Sequence, residues 1–207
     1  LKVKDKINHA IDSFEKAIEP NPKYPQAYFN LGNCQMHKGD FNKAIDLYHK
    51  AISINSKYPQ AYFNMAKALI QKGDLEQAID SYDRALLLDP SYIEALINLG
   101  TALIDYGDLK SAINTFNKAL KIDSKSFLAY NNLGTALLEN GDTIDAICSI
   151  KKAIIINSKY AEAYFNLGNA FHEKGEFFNS VRAYKMSLYI RPDYPSATFS
   201  LSLVELL

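Results

Sequence analysis

Every glycine in this 207-residue chain falls on one of two positions of a 34-residue repeat. Gly39, Gly73, Gly107, Gly141 and Gly175 form one series; Gly32, Gly100, Gly134 and Gly168 form the other, with Ala66 in the vacant place. The prolines (Pro20, Pro22, Pro25, Pro59, Pro90, Pro192 and Pro195) all lie at junctions between repeats. A fixed period of this length means stacked supersecondary units, each contacting only its neighbours.

Residues 25–58 show what one unit is. Ala27, Tyr28, Leu31, Gly32 and Gln35 recur at helical spacing, and Lys38-Gly39 closes that helix, because glycine accepts the left-handed backbone that satisfies the last carbonyls. Asp40 is placed to cap a second helix, on which Phe41, Ala44, Ile45, Tyr48, Ala51, Ile52 and Ile54 share one face. Pro59 then opens the next unit at the helical position where its missing N–H costs nothing. Small residues recur on the second helix as Ala44, Ala78, Ala112, Ala146 and Ser180, and again as Ala51, Ala85, Ala119, Ala153 and Ser187. The mid-helix glycine opposite them should cost about 1 kcal/mol relative to alanine. Close approach of the two helices, with Tyr28, Leu31, Phe41 and Tyr48 filling the space left, is the compensation.

The pattern resembles the tetratricopeptide repeat (TPR) family over essentially the whole chain. Its signature stands here as Tyr28, Leu31-Gly32, Ala44, Tyr48 and Ala51, and again as Tyr164, Leu167-Gly168, Ser180, Tyr184, Ser187 and Pro192. Ser56, Ser124 and Ser158 replace the closing proline, and Ile150 replaces an aromatic. The resemblance implies an all-α fold, a right-handed superhelical α-solenoid of 34-residue helix-turn-helix units, with one face of each first helix lining its inner surface. Full repeats are expected at 25–58, 59–92, 93–126, 127–160 and 161–194. Residues 1–24 match the second half of a preceding repeat through Ala10, Phe14 and Ala17, and 195–207 the first helix of a following one. This predicts one continuous domain belonging to a longer protein, able to self-associate through 195–207, where Leu203 and Leu207 are apolar.

Composition narrows the function. Lys plus Arg and Asp plus Glu are 23 each, and the densest basic stretch, Lys2 to Lys6, is interrupted by Val3 and Asp5. No nucleic-acid partner is therefore expected. Aliphatic runs such as 153–156 are far too short to insert in a bilayer, no signal-peptide pattern opens the chain, and the two cysteines lie more than three units apart. Together these lean towards a cytoplasmic protein. Catalysis is not expected: His9, His37, His49 and His172 occupy four different repeat positions, so stacking assembles neither a triad nor a metal site. Cys34 and Cys148 have no adjacent histidine, and the Leu-Gly-Asn stretches are mid-helix, not phosphate loops. No metal or cofactor is expected.

The informative positions are the second, fifth, sixth, ninth, twelfth and thirteenth of each repeat, which share one stripe of the first helix. The sixth is asparagine five times: Asn30, Asn64, Asn98, Asn132 and Asn166. An amide both donates and accepts, which suits the backbone of an extended peptide, and also suits bonds between helices. The series is similar to the asparagine ladder in the repeat region of O-linked N-acetylglucosamine transferases. The fifth position is mostly large and apolar (Phe29, Phe63, Ile97 and Phe165, with Asn131 the exception), giving either pockets for a partner's side chains or packing between first helices. Lys67 is the one cation on the stripe, too few for the clamp on acidic peptide termini found in chaperone-binding members of the family. Gln26, His37, Gln60 and Gln71 precede Glu94, Asp105, Glu139, Glu162 and Glu173, so the expected ligand is a protein or peptide carrying basic and apolar side chains. The expectation is a non-enzymatic interaction scaffold. Its rivals are the substrate-recruiting array of a larger enzyme, such as a glycosyltransferase, and a self-assembling structural scaffold.

Overall fold

A computed structural model describes the backbone of residues 2–206 and the side chains of 6–206. Leu1 and Leu207 lie outside the described residues, and with them the ends of the first and last expected segments. Among the described residues, twelve α-helices make up the regular structure: α1 (Lys2–Ile18), α2 (Pro25–Lys38), α3 (Phe41–Ile54), α4 (Pro59–Lys72), α5 (Leu75–Leu88), α6 (Ile93–Tyr106), α7 (Leu109–Ile122), α8 (Phe127–Glu139), α9 (Thr143–Ile156), α10 (Ala161–Glu173), α11 (Phe177–Ile190) and α12 (Pro195–Val204). They gather into two compact units, Leu1–Ala102 and Leu103–Leu207, with the boundary inside α6.

The punctuation is local chemistry. Gly39 sits at φ 78°, donating to the Met36 carbonyl while Asp40 N–H reaches back to Gln35, so two end carbonyls of α2 are satisfied. The Asp40 carboxylate accepts from Lys43 N–H at 3.3 Å, and Asp108 caps α7 through Ser111 N–H at 3.1 Å. The Lys43 ammonium, 2.9 Å away, and then its N–H hold the Asp40 carboxyl below the usual range, as the Ser111 hydroxyl and then its N–H do for Asp108. Asp74 does not cap in this way: it pairs with Lys72 at 2.9 Å.

Within each unit a hairpin packs through its small residues. Ala44 and Ala51 in the N-terminal unit, and Ala146 and Ala153 in the C-terminal unit, are fully buried. Ser180 and Ser187 are equally buried and donate to the carbonyls of Gly168 and Ala161, both at 2.9 Å, so the extra hydroxyls are satisfied by the facing helix. A Cβ added at Gly32 would fall 2.6 Å from Tyr48 Cε1, and one at Gly168 would meet Tyr184 in the same way. At Gly32 and Gly168 the glycine is therefore the hole into which the second-helix ring of its own hairpin is set; at Gly134 the Ile150 side chain takes that place.

The fifth-position aromatics complete the seam between hairpins. Phe29 lies between Tyr48 and Tyr58, with centroids 5.9 and 5.0 Å away; Phe63 lies between Tyr82 and Tyr92 at 5.8 and 4.8 Å. Phe165 stands likewise between Tyr184 and Tyr194. Exposure as a pocket wall fails most clearly for Phe63, which keeps only 6% of its surface. The cause is the junction tyrosine at the end of the repeat, which closes over the ring from the next hairpin.

Candidate functional site

Each unit carries clefts on its first-helix face, built from the same repeat positions. In the N-terminal unit a cleft of about 360 Å³ is lined by Asn33, Met36 and His37 of α2, Asn64 and Lys67 of α4, and Tyr48 from α3 behind them. A second, of about 410 Å³, shares Met36 and Lys67 and adds Ile70, Gln71 and Tyr82, with Asn98 of α6. In the C-terminal unit a cleft of about 550 Å³ lies among α8, α10 and α12. Its walls include Thr135 and Glu139, then Asn166, Asn169, His172 and Glu173. The sixth, ninth, twelfth and thirteenth positions thus converge, as the helical stripe requires.

Two of the sixth-position asparagines, Asn64 and Asn166, are tied to the preceding first helix. Asn64 Nδ2 donates to Asn33 Oδ1 at 2.8 Å, and Tyr48 Oη donates to the same oxygen at 2.8 Å. Asn166 Nδ2 donates to Asn131 Oδ1 at 3.0 Å and Thr135 Oγ1 at 3.3 Å, while Tyr184 Oη donates to Asn169 Oδ1 at 2.8 Å. Asn30 accepts from Gln26, and Asn132 accepts from the buried Asn131. Asn64 commits its Nδ2 to one such bond, and Asn166 commits its Nδ2 to two. The side chains are thereby held at fixed angles along the cleft walls.

The structure adds a residue class that the helical stripe does not include: the second-helix tyrosines. Tyr48, Tyr82 and Tyr184 reach the cleft floors through the glycine or alanine gap, and burial pushes the Tyr48 and Tyr82 phenols well above their ordinary range. Part of the signal was present in the sequence as a pairing: Asn33 and Asn169 stand where Tyr48 and Tyr184 supply a hydroxyl and Thr135 where Ile150 supplies none, but Lys67 stands opposite Tyr82.

The charged positions separate. Lys67 lines both N-terminal clefts with its Nζ 5.4 Å over the Phe63 ring. Glu139 and Glu173 face the C-terminal cleft. Glu162 does not stand open there: it pairs with Arg191, whose guanidinium also lies 4.7 Å over the Tyr194 ring. Glu94 is exposed and sits near Tyr92, whose phenol is raised by burial first and by that carboxylate second. Asp105 is exposed, and Ile97 is half-buried with its carbonyl accepting from Thr101 at 3.1 Å. Among the described residues no group of three His, Cys, Asp or Glu side chains could hold a metal, and no helix is long and apolar enough to cross a membrane.

Stacked antiparallel hairpins with polar clefts on the first-helix face define a helical-repeat interaction scaffold. The chain belongs to the tetratricopeptide repeat family: models of that repeat match residues 25–58, 47–80 and 131–195, and TPR repeat models match 66–105 and 100–141. Among solved structures, YrrB, a TPR protein with an unusual peptide-binding site, is 22% identical over 92% of this chain and 98% of its own, with a TM-score of 0.74. MamA is 26% identical over 81% and 92%, with a TM-score of 0.73. A chain of the APC/C hetero-tetramer Cut9-Hcn1 is 20% identical over 97% of this chain and 40% of its own, with a TM-score of 0.78. Among curated proteins, none matches the chain.

Proposed function

We propose that the chain is a non-enzymatic scaffold that binds extended peptide segments of partner proteins in its first-helix clefts. The observation that carries this reading is the recurrence of the same four repeat positions around each cleft, with amides fixed by Asn64–Asn33 and Asn166–Asn131 bonds. Regularly spaced amides match the regular donors and acceptors of an extended backbone. YrrB, which shares this fold, has a peptide-binding site of its own. The contacts we assign are Asn30, Asn64, Asn98, Asn132 and Asn166 with Lys67, and Glu139 and Glu173 in the C-terminal unit; Phe29, Phe63 and Phe165 support the walls. A ligand's basic side chains meet the C-terminal cleft, whose lining includes the two carboxylates Glu139 and Glu173.

Peptides selected from a displayed random library against the full chain test this. The expected result is enrichment in Lys and Arg, with binding lowered severalfold by Asn64→Ala in one cleft or Asn166→Ala in the other. Selected peptides that bind both variants like the parent would overturn it. A second reading is self-association through α12, favoured by Phe199 and Leu203, which keep 72% and 51% of their surface. Light scattering over a concentration series decides it: mass should rise with concentration and Phe199→Glu with Leu203→Glu should abolish the rise. A constant monomer mass in the parent removes this reading.

A further inference from the structure

The C-terminal unit has a second trough, on the side of α8 away from the first-helix cleft. It measures about 620 Å³ and lies between α7 and α9, floored by α8. The floor is apolar: Leu133 is buried and Leu137 half-buried, beside the half-buried Tyr130 ring. The rim is basic and amidic. Lys121 stands on one side and Lys152 on the other, with Nζ of Lys152 5.4 Å over the Tyr130 ring; Asn114 and Asn117 extend the α7 rim, and Asp145 is the one carboxylate among the lining residues. Lys121 and Lys152 are 31 residues apart in sequence, so no basic run betrays them.

The surroundings strengthen both characters. Between its first and last residues α7 carries Lys110, Lys118 and Lys121 and no carboxylate. On α9, Ile144, Cys148, Lys152 and Ile155 lie at spacings of four, four and three, on one stripe. Ile144 keeps 68% of its surface and Ile155 82%, and nothing in the core accounts for them. The corresponding positions are the polar Asn42 and Ser53 near the chain's start and the exposed Phe178 and Tyr189 in the last full repeat, so the trough stands out by its floor and its lysines rather than by its shoulder. An apolar floor, apolar shoulder and cationic rim match one kind of partner: an amphipathic helix with an apolar face and carboxylates along its flanks.

We propose that this trough, on the second-helix side of the C-terminal unit, docks an acidic amphipathic helix of a partner protein. Its apolar side chains enter over Leu133 and Leu137 and cover Ile144 and Ile155, while its carboxylates pair with Lys121 and Lys152. The recessed floor favours a protruding helix over a flat anionic membrane, which would touch only the shoulders. The first-helix clefts take no part, so the two sites stand or fall separately.

Cys148 supplies the readout, because its exposed thiol lines this trough, whereas Cys34 is the other free thiol and lies in α2 of the N-terminal unit. In the 207-residue chain carrying Cys34→Ala, maleimide labelling of Cys148 is followed with a displayed library of amphipathic helical peptides whose polar positions are randomised. The expected result is that peptides protecting Cys148 are enriched in Asp and Glu, and that Lys121→Glu with Lys152→Glu weakens them about tenfold or more. Glu139→Lys with Glu173→Lys should leave them unchanged. The proposal is overturned if no selected peptide protects Cys148, if the protecting peptides are neutral or basic, or if the lysine variants bind them like the parent. Protection by phosphatidylserine–phosphatidylcholine vesicles in place of any peptide would overturn it equally, assigning the face to membranes.

Discussion

At the scale of single residues, the deciding contact is between a missing side chain and a ring. Gly32→Ala places a methyl carbon against Tyr48. Overpacking of this kind costs about 1–3 kcal/mol and outweighs the gain of about 1 kcal/mol in helix propensity. The urea midpoint should therefore fall, whereas an unchanged or raised midpoint would mean the ring gives way freely. The repeat with Ala66 shows that a whole hairpin can be built around the Cβ, since Ala66 is fully buried. Asn64 is a subtler case. Asn64→Ala loses one bond to Asn33, about 1 kcal/mol, and recovers several tenths through alanine's propensity. Stability should change by less than about 1 kcal/mol. A loss of several kcal/mol would make the asparagine structural, not a ligand contact.

At the scale of elements, packing and capping make different demands. Phe63 is held between Tyr82 and Tyr92, so Phe63→Ala should cost about 3–5 kcal/mol in chemical denaturation, because a buried ring leaves a cavity. A loss below about 1 kcal/mol would place the ring at the surface after all. The cap of α7 has a pH signature. Asp108 is held below its ordinary pKa by its bonds to Ser111, so its contribution is present above the unfolded pKa and is lost as pH falls through the folded one. Asp108→Asn keeps an N-cap acceptor without the charge. It should flatten the acid side of the stability profile, a change read by thermal melts below about pH 4, where aspartates titrate. An identical acid limb in the variant would show that the cap carries no pH-dependent stability.

At the scale of the whole molecule, many small terms point the same way. Burial raises the phenols of Tyr58, Tyr92, Tyr160, Tyr184 and Tyr194 as well as those of Tyr48 and Tyr82. An unfolded tyrosine loses its proton near 10.0, before these do. Above that pH the unfolded state binds fewer protons than the folded one, so stability falls as pH rises. The last part of the tyrosinate absorbance should therefore appear together with unfolding above about pH 10; complete tyrosinate formation in a protein that is still folded would contradict the burial. Charge at the clefts adds a second molecular property. Binding of a basic peptide should weaken with salt, because surface pairs screen over about 10 Å at 0.1 M, and Glu139→Lys with Glu173→Lys should remove most of that dependence. Affinity indifferent to salt would remove the electrostatic reading.

The 34-residue spacing of glycine, alanine and aromatic positions by itself determined the hairpin, its turns and the packing partner of each small residue, because these are local or nearest-neighbour relations written within one repeat. It also located the stripe on which the clefts open. Which face of Phe63 meets water was decided only by tertiary structure, since Tyr92 closes over it from the next hairpin. The same holds for Glu162, whose Arg191 partner lies 29 residues away at the end of its own hairpin. Tyr48 and Tyr184 enter the clefts from behind, through the gap that glycine leaves. Lys121 and Lys152 rim one trough only because two second helices flank one first helix. Period fixes what repeats; contacts across the seams, where side chains differ from repeat to repeat, fix what each cleft presents.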